Sequence, residues 1–209
     1  VEDLGEDASL CGIDGEVDFD TTYCVGDNTE DISKALFRPR IHDFISAENL
    51  LITTSVTVSK SHGNWRNIYH YGNTNGERFP AMLLFPNFGH SSHPNYWKIH
   101  FRLATTRGTN DGVDFYIPEE MRTLGTEYQI SVNVKETIGG RRLGLLECSE
   151  VGIYLTASVN GVNVASDFIV NHVVKPLPQR TFHIKNPWYS LKGYTVNSVL
   201  VHGLRVESS

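Results

Sequence analysis

From residue 50 onward, apolar and polar positions exchange places with a period of two, the spacing at which successive side chains of an extended strand point to opposite faces. In the segment YWKIHFRLATT, Trp97, Ile99, Phe101 and Leu103 share one face, while Lys98, His100 and Arg102 share the other. EYQISVNV repeats the pattern with Tyr128, Ile130, Val132 and Val134 inward, and LITTSVTVS does so with Ile52, Thr54, Val56 and Val58. VGIYLTASVNGVNV aligns Val151, Ile153, Leu155, Ala157 and Val159, then runs through Asn160-Gly161 to Val162 and Val164. Asn-Gly accepts the positive φ angles of a type I′ turn, so this segment predicts a β-hairpin. Helical signals are few: DISKALFR predicts one or two turns capped by Asp31, and PEEMRTLG another opening at Pro118. Many strands, Gly-rich turns and no long crossovers predict an all-β, antiparallel jelly-roll sandwich with few short helical turns.

Length and composition narrow this picture. A chain of 209 residues that is 40% hydrophobic can bury one sizeable core, and β-sandwiches of this size commonly form one domain. No apolar run approaches the ~18 residues a membrane helix needs, so no membrane insertion is expected. The net charge of −6 is unevenly spread. Residues 1–31 hold eleven acids and no Lys or Arg, leaving 13 acids against 18 basic residues, a net of +5, for the rest. The expected organisation is therefore an acidic N-terminal segment over residues 1–45 and one β-sandwich domain over residues 46–209. The acidic segment reads as a solvated leader, or as an arm lying on a basic body. The basic residues are scattered, which argues against a nucleic-acid partner.

Cysteine usage adds a compartment. Cys11 and Cys24 flank a Gly/Asp-rich segment and are spaced to staple it; in an oxidising environment such a loop gains roughly 3 kcal/mol. Cys148 reads as a buried thiol. An extracellular location, secreted or at the cell surface, is the expectation.

Several segments in order carry a family resemblance: GNWRNIYHYGNTNGERFPAMLLFPN, WKIHFRLATTRGTNDGVDF, ASVNGVNV and IKNPWYSLKGYTVNSVLVHGLRV. Over about residues 45–207 the chain resembles the laminin-G-like, concanavalin-A-like jelly rolls of extracellular proteins. Within that frame Asn186-Pro187-Trp188-Tyr189 ends one strand, since Pro cannot donate to a central ladder, and Gly203 marks a bulge in the last strand. The resemblance implies a non-catalytic recognition or adhesion module, part of a larger surface or matrix assembly, with rim loops around residues 72–78, 87–96 and 107–114 contacting a glycan or an extracellular protein. It also implies a calcium site with Glu77, in GERFPAMLL, as the acid before a Phe-x-Ala-x-x-Leu strand. Asn110, Asp111 and Asp114 supply further hard oxygen donors, as do Asn73 and Asn75. The same Asn, Asp and Gly residues also serve plain turns.

Other chemistry is weaker. Glu16, Asp18 and Asp20 alternate onto one side, as the paired carboxylates of a retaining glycosidase do, but Asp20 is shorter than the required Glu. Counted as an EF-hand from Asp14, the stretch lacks the Gly at position six and the Glu at position twelve. His90 and His93 have metal-ligand spacing but no third local ligand, and they read as rim residues facing a ligand. Arg141 and Arg142, at the tip of a hairpin in ETIGGRRLG, are placed to meet an acidic glycan or partner, and Lys98, His100 and Arg102 form a basic strip on one sheet face. No nucleophile elbow or phosphate-binding Gly loop is present. Two rival readings remain. A packing module of a filament or coat predicts large apolar patches. A polysaccharide-active enzyme requires Trp65, Trp97 and Trp188 to line one groove.

Overall fold

The computed structural model describes residues 22–25, 36–37, 49–72, 74, 76–90, 93–137, 151–175, 182–184 and 198–208. Within them the chain forms β1 (Thr22–Val25), β2 (Leu36–Phe37), β3 (Asn49–Val58), β4 (Arg66–Tyr71), β5 (Ala81–Leu84) and β6 (Lys98–Leu103). These are followed by β7 (Asp111–Tyr116), β8 (Glu127–Thr137), β9 (Gly152–Val159), β10 (Val162–Val170), β11 (Phe182–Ile184) and β12 (Val199–Ser208). The strands build two six-stranded sheets, ordered β1-β12-β3-β8-β9-β10 and β2-β11-β4-β5-β6-β7. Every pairing is antiparallel, so the fold is the all-β sandwich that the alternation predicts.

The core is made by the inward positions of both sheets. Ile52, Val56, Val58, Tyr128, Ile130, Val132, Ile153, Leu155, Ala157 and Val159 come from the first sheet, and Ile99, Phe101, Leu103, Val113 and Phe115 from the second. Trp97, at the end of a 3-10 turn over Pro94–Trp97, is buried with its edge toward Phe88. The inward Thr54 keeps its place by donating its hydroxyl to the Gly203 carbonyl at 2.8 Å. That carbonyl lies at the β12 bulge, where the register against β3 shifts between Val201 and Gly203. Asn160 and Gly161 adopt φ angles of 48° and 79°, and β9 and β10 pair around them as the expected hairpin.

Two expectations are corrected. Leu36 and Phe37, in the DISKALFR segment, form β2 and pair with β11 instead of joining a helix. A helix this short is marginal in water, whereas a neighbouring strand satisfies the same backbone groups at once. Val151 precedes β9 and is 37% exposed, not inward, and Val162 is 45% exposed on the edge strand β10. At strand ends the alternation no longer meets an opposing layer. The helical turn expected in PEEMRTLG forms as a single 3-10 turn, Glu119–Met121, capped at Pro118, with the Tyr128 hydroxyl 2.6 Å from the Thr123 carbonyl and 2.9 Å from the Met121 carbonyl.

Two short strands from within residues 1–45 join the sheets, β1 beside β12 and β2 beside β11. Cys11, Cys148 and the Asn186–Tyr189 motif lie outside the described residues, as does the side chain of Cys24 on β1. At the open side of the sandwich the sheets are linked by the Thr105–Val174 bridge and by a backbone hydrogen bond from Thr106 N–H to the Val173 carbonyl at 3.0 Å.

Candidate functional site

The second sheet carries ionisable groups where a sandwich ordinarily meets water. Because Ile99, Phe101 and Leu103 point into the core, alternation sends Lys98, His100 and Arg102 of β6 outward. On β7, Val113 and Phe115 point inward and Asp114 outward, and the register places Asp114 directly across from His100. One carboxylate therefore meets the whole basic strip. Arg102 Nη2 and His100 Nδ1 each lie 2.6 Å from Asp114 Oδ1, and Lys98 Nζ lies 3.4 Å from Oδ2.

Charge fixes the protonation states. Burial alone would raise the Asp114 carboxyl, but the Arg102 charge and the His100 ring hold it below the usual carboxylate range. His100 is pushed down to about 4, by burial first and by the Arg102 charge second, against the pull of Asp114. The pair is thus an ionised carboxylate and a neutral imidazole at neutral pH. A carboxylate can only accept, so Nδ1 carries the imidazole proton and donates it, and Nε2 is left as a bare acceptor.

Aromatic rings border the strip. Trp65, just before β4, and Phe85, just after β5, face outward as the next cross-strand pair beyond Arg66 and Leu84. Their ring centroids are 4.3 Å apart, and the His100 ring lies 5.1 Å from Trp65 and 5.5 Å from Phe85. Lys98 Nζ sits 3.7 Å above the Phe85 ring, with Tyr116 on its other side at 5.9 Å. Trp65 remains 45% exposed, so an aromatic face is presented to solvent beside fixed donors and an acceptor.

Toward β4 and β11 the same outer face is covered. His70 and His183 are cross-strand partners and both are buried. His70 Nε2 donates to the Thr74 carbonyl at 3.2 Å, and burial pushes the ring down to about 4, with the Arg78 and His183 charges acting in the same direction and the Thr74 carbonyl opposing. Arg78 leaves this loop and donates to the Asn110 side chain at the far edge of the sheet. Arg102 lies in the row between small residues: Ala81 opposes it on β5 and Gly112 on β7. Gly112 has φ 147°, and a Cβ there would collide with the Phe101 carbonyl, so only glycine lets β7 approach this closely.

The residues singled out from the sequence are distributed over this frame. Asn73, Asn75, Arg141 and Arg142 lie outside the described residues. His90 and His93 lie 5.9 Å and 5.8 Å from the Tyr96 ring, and His93 Nδ1 accepts from the Asn95 N–H to cap the 3-10 turn. Glu77 lies between β4 and β5, with its amide donating to the Thr74 carbonyl at 3.2 Å. Asp111 and Asp114 stand on β7 and not on a rim loop. Asn110, Asp111 and Asp114 are held by Arg78, Arg107 and Arg102 respectively, the Arg107–Asp111 distance being 2.5 Å. A cation entering there has to displace a guanidinium. No group of three His, Cys, Asp or Glu side chains is set to hold a metal among the described residues. The sequence reading did not bring Phe85 into any site and placed Trp65 only in the groove of the rival reading; the outward parity of Trp65, one step before the buried Arg66, was the available signal for this face.

No protein-family model matches the chain, and no curated protein sequence matches it. Solved structures do. The botulinum neurotoxin serotype D binding domain is similar with 13% identity and a TM-score of 0.54, over 90% of this chain and 40% of that one. The structure described as the HCR/D F1240A mutant is similar with 11% identity and a TM-score of 0.54, over 90% of this chain and 39% of that one. The chain therefore spans about two fifths of the length of the structures it resembles, and what it shares with them is the β-sandwich fold.

Proposed function

We propose that this domain is a non-catalytic recognition module that takes a saccharide on the outer face of its second sheet, at Trp65, Phe85, Lys98, His100, Arg102 and Asp114. The observation that carries the reading is the half-exposed Trp65 ring, packed at a tilt against Phe85 and His100, beside a set of polar groups that hold one another. A sugar ring packs its apolar face on an aromatic and needs both donors and acceptors for its hydroxyls. Lys98 and Arg102 supply donors, and His100 Nε2 and Asp114 supply acceptors. The groups are held by one another and by sheet register, so little ordering is required on binding.

The fold supports the reading, being one that a binding domain of serotype D neurotoxin also uses. An extracellular setting and a place in a larger assembly belong to the same proposal. The chemistry does not favour an enzyme: Trp97 is in the core, so the groove with Trp65 does not form, and Asp114 is tied to two cations and the neutral His100 ring. A glycan panel probed with the wild-type chain, Trp65→Ala and Tyr154→Ala tests the proposal. Tyr154 is an equally exposed aromatic on the first sheet. Binding that Trp65→Ala abolishes and Tyr154→Ala leaves intact supports the reading; binding indifferent to Trp65 overturns it.

A further inference from the structure

Resting on that reading, we infer that the saccharide recognised by this face carries an acidic group, a carboxylate or a sulfate, that inserts between Arg102 and Lys98. The argument begins with charge. Lys98, Arg102, Arg78 and Arg107 bring four positive charges to this face and its edge against the Asp114 and Asp111 carboxylates, the charge of Arg78 being felt at both His70 and His100 and that of Asp111 at Arg102. His70 and His100, both pushed down to about 4, add no positive charge at neutral pH, so the excess belongs to permanent cations.

Geometry then singles out Arg102. Its Nη1 donates to the Phe101 carbonyl at 2.7 Å and its Nη2 to Asp114 at 2.6 Å, while Nε has no partner among the described residues. A guanidinium offers a planar fork of donors suited to a two-oxygen acid, and an unsatisfied buried donor is costly. Ala81 and Gly112, its neighbours across β5 and β7, carry almost no side chain, so neither fills the space beside the guanidinium, of whose side chain 12% is exposed. Lys98 lies on the same face four residues away, beyond His100, with its Nζ 3.4 Å from Asp114 and 3.7 Å above the Phe85 ring. Asp114 is the internal stand-in: it occupies the acceptor position that the acid of a ligand shares. The His100 ring and Trp65 then place the sugar ring beside the acid, with Nε2 accepting a hydroxyl.

This assigns opposite roles to two partners in one ion pair, and that makes it testable. The experiment is calorimetric titration of the full chain with lactose, sialyllactose and a sulfated chondroitin oligosaccharide, at low and high salt. Wild type, Trp65→Ala, Lys98→Gln, Arg102→Gln and Asp114→Asn are compared, with folding of each checked by circular dichroism. An acidic sugar is expected to bind roughly tenfold or more tightly than lactose, the worth of one charge-assisted hydrogen bond. That preference is expected to fall with salt, vanish in Arg102→Gln, weaken in Lys98→Gln and grow in Asp114→Asn, where the competing carboxylate is gone. Which acidic sugar binds identifies the acid. If Asp114→Asn does not fold, Arg102→Gln and the exposed-end variant Lys98→Gln decide alone. Lactose binding as tightly as either acidic sugar, with loss only in Trp65→Ala, overturns the inference and leaves the saccharide reading standing. No binding of any of the three overturns both.

Discussion

The two sheets share one alternating pattern inward and differ outward. On the first sheet the outward positions of β8 are Glu127, Gln129, Ser131, Asn133 and Lys135, of which all but Ser131 are exposed, and Thr53 and Ser131 meet across strands through a 3.1 Å hydroxyl pair. That is a solvated face. On the second sheet the outward positions include Asn67, His70, His100 and His183, every one buried, with Arg102 nearly so and the Asp114 side chain 33% exposed. Burying an ionisable group costs free energy unless it is paired or neutralised, and both solutions are present here: Arg102 pairs with Asp114, and the histidines stay neutral. The difference teaches where to look for function in a sandwich. The face that accepts an electrostatic cost is the one on which the binding site is proposed.

The largest expected effect comes from forcing the second sheet apart. Gly112→Val places a side chain against the Phe101 carbonyl at φ 147° and is expected to cost about 2–4 kcal/mol, measured by denaturant unfolding. The hairpin glycine of the first sheet is the control: Gly161 has φ 79° but open space around it, so Gly161→Ala is expected to cost only about 1 kcal/mol, the conformational part alone. Equal losses at the two sites break the contrast.

Acid gives the next effect. His70 and His100 titrate near 6.5 when unfolded and about 4 when folded, so between those values the unfolded chain binds protons that the native chain does not. Stability is therefore constant above about pH 7 and falls as pH drops from about 6.5 toward 4. His70 alone accounts for up to about 3 kcal/mol of that fall, and the more accessible His100 for less. Hydrogen exchange at pH 5 is expected to loosen amides of β4, β5 and β6 before those of β8 and β9. Simultaneous loosening of both sheets tells against histidines as the cause.

Smaller still, Ser131→Ala on the solvated face removes one half-buried hydroxyl pair and is expected to change stability by about 0.5 kcal/mol or less. Least of all is the response to calcium. With Asn110, Asp111 and Asp114 each already held by an arginine, thermal unfolding in calcium and in chelator is expected to give no resolvable difference. A clear rise in calcium shows that the ion displaces those guanidinium groups, and Glu77→Ala then locates it.

By itself the sequence determined the fold class and the direction in which most strand side chains point. Period two is a property of the extended backbone, so the inward set Trp97, Ile99, Phe101 and Leu103 was legible before any partner was known. So was the turn at Asn160-Gly161, because positive φ is a local demand, and so was the basic strip on β6. Alternation misled only where a strand ends and no layer opposes it, as at Val151 and Val162. Register is different: it joins residues far apart in the chain, and no local pattern carries it. Only the tertiary structure decided that Asp114 faces His100, that Trp65 and Phe85 meet above it, and that His70 and His183 are buried side by side. Asp111 and Asp114 looked like loop donors for a cation because their spacing with Asn110 and Gly112 is that of a turn. Paired with β6 they became strand residues, and the charges they meet are those of arginines.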